Sequence, residues 1–240
     1  MKIKIYQTEW YGIKFETFAK LSSKKIACPI FYQKFYDVFF KTFNSFESLP
    51  QDIKNTKGNV AELVFETFKE QKKILSIGCG NCLVEHFLLK KFQDEIRICG
   101  IDPGNSYRKW IDDSRFNYIN GFFPQDIDNV REFDCCYLST IDYAMSDKDY
   151  FKFLQLLHES GIKNFLLTDL PGNSDIVFYK KFIKAKLLSI YSFFCMKDSG
   201  QFWGFLRPLS THKKMLHDIG FKNIHVGYLK HGNAWITAEA

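Results

Sequence analysis

Long apolar runs, blocks of like charge and a cysteine framework are all missing from this chain, and each absence removes a class of function. The longest apolar stretch, Leu187 to Met196, holds two serines and is followed by Lys197 and Asp198, well short of a bilayer span. The 33 basic and 27 acidic residues are dispersed, so the net charge of +6 reads as a solvated surface and nucleic acid is not the expected partner. Seven cysteines are odd in number and thinly spread. Cys99, Cys135 and Cys136 fall in apolar runs, which suits reduced, buried thiols and a cytoplasmic protein. Met1 to Tyr6 alternates Lys with apolar residues, with Glu9 close behind, so no secretory leader is expected. No internal repeat, low-complexity tract or metal site is read.

What is present is aromatic. Twenty-six phenylalanines and an aromatic content of 18% argue against disorder and leave rings to line a pocket. At 240 residues the expectation is one compact domain with an appendage. In the first 70 residues Phe31, Phe35, Val38, Phe39 and Phe43 recur at helical spacing, as do apolar positions from Val60 to Phe68, with Leu49-Pro50 and Lys57-Gly58 as punctuation. From Lys73 onward strand candidates (Ile74 to Ile77, Ile96 to Ile101, Phe116 to Ile119, Phe133 to Leu138, Phe165 to Thr168) alternate with helical segments after Asn81, Ser106, Asp147 and Ser174. Such alternation predicts an α/β fold with a mostly parallel sheet covered by helices. Near the end, Ser210 is expected to cap a helix that runs to Ile219 and stops at Gly220, followed by an antiparallel hairpin around His231-Gly232, with His231 exposed at its tip.

The sharpest motif is Lys72 to Glu85, in which Ile74-Leu-Ser-Ile runs into Gly78, Cys79, Gly80, Asn81 and Cys82, and then into an amphipathic segment. Glycines there allow a sharp turn and let a ligand approach main-chain N–H groups. Leu83 stands where a dinucleotide site needs a third Gly, and the next apolar run ends in Asp102, which suits a ribose diol without a pyrophosphate. Cys79 and Cys82 can also be read as a C-x-x-C redox pair at a helix start, or as packing residues.

With these residues the chain resembles the class I S-adenosylmethionine-dependent methyltransferases, Rossmann-like enzymes. Their glycine motif matches Ile74 to Cys82 and their ribose acid matches Asp102, although family loops often carry an acid where Ser76 stands and a third Gly where Cys82 stands. The resemblance covers residues 72 to 240. It implies residues 1–70 as an N-terminal helical cap on the substrate side and 71–240 as the S-adenosylmethionine-binding domain. It further implies Ser76, Gly78, Cys79, Gly80, Asp102, Pro103, Phe122, Ser139 and Thr140 as cofactor contacts, with Phe122 replacing an acid near adenine.

Ligands in open α/β sheets lie at the carboxyl ends of strands, so Asp142 and Tyr143, which follow the fourth strand, are the candidate catalytic residues, with capping as the alternative for Asp142. Tyr11, Tyr36, Trp203, Arg207 and His212 are the candidate acceptor contacts. For Arg207 an anion anchor and a surface ion pair both stay open, and Trp10 and Tyr32 share the ambiguity between pocket wall and core. The expected reaction is methyl transfer to an O or N atom of a small molecule or glycan intermediate. RNA or protein methylation, and a non-catalytic cofactor-binding or scaffold role, are the alternatives.

Overall fold

The computed structural model describes residues 2–20, 25–92, 96–104, 110–171, 175–184 and 200–240. The helix expected after Ser106 starts outside the described residues. At the centre is a seven-stranded sheet made of β4 (Lys73–Ile77), β5 (Arg97–Asp102), β6 (Phe116–Asn120), β7 (Cys135–Ser139), β8 (Asn164–Leu170), β10 (Lys222–Tyr228) and β11 (Ala234–Glu239). Its order is β10-β11-β8-β7-β4-β5-β6, and β11 alone runs against the others. The expected parallel sheet with a closing antiparallel hairpin is therefore present. Alternate residues of the central strands bury on opposite faces. Ile74, Cys135 and Tyr137 enter one core, while Leu75, Cys136 and Leu138 enter the other. A sheet apolar on both sides needs helices on both sides.

One face is covered by α2 (Gln51–Phe68) and α3 (Leu83–Lys91), the other by α4 (Asp147–Glu159) and α6 (Leu209–Ile219). Gly58 does not punctuate α2 but lies inside it. A mid-helix Gly costs about 1 kcal/mol, whereas burying each apolar side chain of the Ile53, Val60, Val64 and Phe68 face contributes about 1.5–3 kcal/mol, so the helix runs through. At α6 the N-cap is Pro208, not Ser210, because Leu209 is drawn into the core; the Asp175 carboxylate instead accepts from the Ser210 N–H at 3.2 Å. Gly220 ends that helix with φ 113°, the left-handed conformation Gly adopts without strain. Residues 175–184 are helical (α5).

Strand β1 (Ile3–Gln7), absent from the sequence reading, pairs antiparallel with β9 (Gln201–Leu206), a segment read only for the candidate acceptor contact Trp203. A short hairpin of β2 (Glu9–Trp10) and β3 (Ile13–Lys14) and helix α1 (Pro29–Thr42) build a third, aromatic core around Phe15, Phe35, Phe39 and Trp203. Among the described residues no helix is long and apolar enough to cross a membrane.

Candidate functional site

Connections leave β4 toward β5 on one side and reach β7 on the other, so the sheet order reverses at β4 and opens a crevice beyond the strands' carboxyl ends. A cavity of about 360 Å³ occupies this crevice. Its lining includes Ser76, Gly78, Cys79, Gly80, Asp102, Pro103, Phe122, Ser139 and Thr140, all nine residues read as cofactor contacts.

The loop after β4 has the conformation its glycines permit: φ is 72° at Gly78 and 54° at Gly80. A Cβ on Gly78 would lie 2.4 Å from Ile141 Cγ2, and one on Gly80 would lie 2.5 Å from the Tyr36 hydroxyl. Cys82, in the place of the third glycine, also holds a positive φ, 56°, and is buried. Its Sγ lies 3.7 Å from Cys79 Sγ. Burial and the neighbouring Cys82 thiol push the Cys79 thiol well up, the reverse of what favours a thiolate redox centre.

At the tip of β5 the Asp102 carboxylate accepts from Gly80 N (3.1 Å) and Gly104 N (2.9 Å), which ties the acid to the glycine loop. Burial raises its pKa, with the two backbone N–H groups working against that rise. After β6, Phe123 joins the core while Phe122 stays 56% exposed on the cavity wall.

Two groups unread in the sequence also line the cavity. The Glu85 side chain, from the first turn of α3, is buried; its Oε1 accepts from Ser76 Oγ and Tyr137 OH, each at 2.5 Å. Burial raises its pKa, and the two hydroxyls and the Lys57 charge oppose the rise. Lys57, from α2, sits 3.3 Å from Asp169 Oδ2. Asp169 also accepts from Thr140 Oγ1 (2.9 Å), Asn233 Nδ2 (2.7 Å) and His231 Nε2 (2.9 Å). Burial alone would raise the Asp169 pKa, but Lys57 and these hydrogen bonds outweigh it and hold the carboxyl well down. His231 lies at the hairpin tip and is exposed there, as expected, and its ring also reaches back to Asp169, a partner the sequence does not announce. Thr140 and Asp169 both hold positive φ, 59° and 61°, a pairing of strained residues of the kind found at functional sites.

The opposite wall is aromatic, formed by Trp10, Tyr11, Tyr32, Tyr36 and Tyr143. The Tyr143 hydroxyl meets that of Tyr32 at 2.9 Å, and its ring stacks on Trp203 with centroids 5.8 Å apart. Burial raises both phenols, keeping them neutral.

Asp142, Trp203, Arg207 and His212 depart from their expected places, since none lines this cavity. Trp203 supports Tyr143 from behind. The guanidinium of Arg207, fully buried, donates to Asp147 Oδ1 (2.9 Å), Asp142 O (2.8 Å) and Met145 O (2.5 Å), clamping the loop that carries Tyr143. His212 Nδ1 meets the Tyr150 hydroxyl at 3.0 Å. Burial, and then the Arg207 charge, push the His212 pKa down to about 3, while burial pushes Asp142 up to about 6. Their 3.8 Å approach is therefore no ion pair near neutral pH, because the imidazole there is uncharged.

No family model and no curated protein matches the sequence. Solved structures do match in fold. A Nostoc punctiforme protein with a provisional O-methyltransferase assignment is 15% identical, with 92% of this chain and 63% of that one covered at a TM-score of 0.61. PigF, solved with S-adenosylhomocysteine, is 13% identical over 89% of this chain and 60% of its own, TM-score 0.57. Human N-acetylserotonin methyltransferase, solved with S-adenosylmethionine, is 14% identical over 88% and 56%, TM-score 0.57. The chain spans about three fifths of the length of these structures. The sheet order, the closing hairpin and these matches identify the fold as that of the class I S-adenosylmethionine-dependent methyltransferases.

Proposed function

We propose that the chain is an enzyme that transfers the methyl group of S-adenosylmethionine to an O or N atom of a small molecule or a glycan intermediate, in the cytoplasm. The observation that carries this reading is the convergence of the glycine loop, Asp102 and Phe122 on one cavity at the switch point of the sheet. In this reading the backbone at Gly78 to Gly80 lies along the amino-acid end of the cofactor, Asp102 receives the ribose hydroxyls, and Phe122 stacks on adenine. The group fits, because Asp102 keeps acceptor capacity beyond its two backbone donors and faces a cavity large enough to hold part of a nucleoside.

Bound S-adenosylmethionine supplies a methyl group already activated by its sulfonium. Alignment and exclusion of water are then the main tasks of the protein. The neutral phenols of Tyr32 and Tyr143 orient the acceptor by hydrogen bonding, with Tyr11 and Tyr36 beside them; of residues 1–70 the part before α2, strands as well as helix, acts as the cap and supplies Trp10, Tyr11, Tyr32 and Tyr36, while α2 packs on the sheet. A small acceptor suits the enclosure by aromatic rings better than a polymer does.

Isothermal titration with S-adenosylhomocysteine tests the reading, with micromolar affinity expected and no heat at millimolar ligand overturning it. Asp102→Ala is expected to weaken that binding by about 1.5–3 kcal/mol through loss of charge-assisted hydrogen bonds. Unchanged affinity in the folded variant would move the ribose contact elsewhere.

A further inference from the structure

We propose that Glu85 is the binding residue for the ammonium group of the cofactor's amino-acid end. The inference rests on the function proposed above and adds a residue that neither the glycine motif nor the acid-tipped strand includes. Position 76, the last polar side chain of β4 before the loop, is an uncharged serine and brings no counter-charge of its own. A carboxylate nonetheless stands there, because Ser76 Oγ and Tyr137 OH both donate to Glu85 Oε1 and hold the side chain beside the loop. Both donors act on one oxygen and leave the other to be accounted for.

That other oxygen, Oε2, is buried without a hydrogen-bond partner among the described residues, on a residue that is 1% exposed and lines the cavity. An unpaired carboxylate oxygen taken out of water is costly to keep, and a cationic N–H donor is the partner that best offsets the cost. None of the described residues supplies one: Lys57 is close enough to bias the Glu85 ionisation, but its hydrogen bond goes to Asp169. An ammonium offers three donors and a positive charge, whereas a ligand hydroxyl or amide offers a donor without charge. The methionine moiety presents such an ammonium; an amine acceptor is the other source of the same chemistry.

The test compares S-adenosylhomocysteine with 5′-methylthioadenosine, which keeps the adenosine and the sulfur but has no amino-acid end. Both are titrated calorimetrically into the wild type and Glu85→Gln. The glutamine oxygen can still accept from Ser76 and Tyr137, so the fold is retained, and 5′-methylthioadenosine affinity reports it. Glu85→Gln should lower S-adenosylhomocysteine affinity roughly 10- to 100-fold, the size of one charge-assisted hydrogen bond, and leave 5′-methylthioadenosine within about twofold. An unchanged ratio of the two affinities overturns the proposal while leaving methyl transfer standing, and it turns the free oxygen toward an amine acceptor. A wild type that binds neither ligand overturns the proposed function and this inference with it. Should Glu85→Gln not fold, Ser76→Ala decides by the same ratio, since losing one of the two donors releases the aim of the carboxylate; a ratio held at the wild-type value sinks the inference.

Discussion

Replacing Asp142 with Asn should make the protein more stable at neutral pH, although the position follows a central strand and was read as catalytic. Burial lifts the Asp142 carboxyl from 3.8 to about 6, with the Arg207 charge opposing that rise. The folded state therefore keeps its proton between pH 4 and 6 while the unfolded chain has lost it. Stability falls as pH rises through that window, and the full penalty is present at pH 7. Two pKa units correspond to about 3 kcal/mol. The Asn amide must find partners where Oδ1 already has none among the described residues, a loss of about 1 kcal/mol, so a net gain of roughly 2 kcal/mol is expected at pH 7 to 8. Urea denaturation of both proteins at unit steps from pH 4 to 8 measures it, and the difference should shrink toward pH 4. The opposite sign has a clear physical origin: if His212 were charged and paired with Asp142, removing the anion would strand a buried cation and cost several kcal/mol. A variant less stable than wild type at pH 7, by an amount independent of pH, would refute the assignment of charges in this cluster.

Arg207→Lys should lose about 3 kcal/mol of stability, because an ammonium cannot serve Asp147 and the two carbonyls of Asp142 and Met145 in the fixed fork geometry; a loss below about 1 kcal/mol in urea denaturation would show that the clamp is dispensable. Gly78→Ala should weaken S-adenosylhomocysteine binding about tenfold or more, since positive φ alone costs an alanine about 1–2 kcal/mol and its Cβ would meet Ile141 at 2.4 Å; a folded variant of wild-type affinity would refute that reading of the loop. Tyr143→Phe should lower turnover and leave S-adenosylhomocysteine affinity near wild type if, as proposed, the hydroxyl pair with Tyr32 serves the acceptor; a parallel fall in both would assign Tyr143 to the cofactor instead.

The glycine loop and Asp102 were legible because local chemistry dictates them: a turn of positive φ calls for glycine, and an apolar strand ending in an acid places that acid at the strand tip. The central strands were legible for a similar reason, since runs buried on both faces leave few alternatives. Direction was not legible where it depends on a distant partner. Lys57 reaches the cavity from α2 by pairing with Asp169, 112 residues away, and a lysine in an amphipathic helix carries no mark of that. The β1 and β9 strands lie nearly two hundred residues apart, so the short alternation in each had no visible partner. Glu85 stands just past the glycine motif of Ile74 to Cys82, in the first turn of α3, and nothing in its spacing tells that two hydroxyls from β4 and β7 will hold it.

Asp142 and Tyr143 show the sharpest limit, because they are adjacent and were read together. They lie in a single 3₁₀ turn, where neighbouring side chains diverge, so only one could face the crevice. Tyr143 lines the cavity, and Asp142 turns into the protein toward His212. Arg207 then explains why the turn holds this phase. Its guanidinium takes the carbonyls of Asp142 and Met145, on either side of Tyr143, while a Cβ on Gly204 would lie 2.2 Å from the Tyr143 carbonyl, so the glycine in β9 lets the turn pack this closely. The charged residues read as chemistry thus form the support from which an uncharged phenol is presented to the cavity.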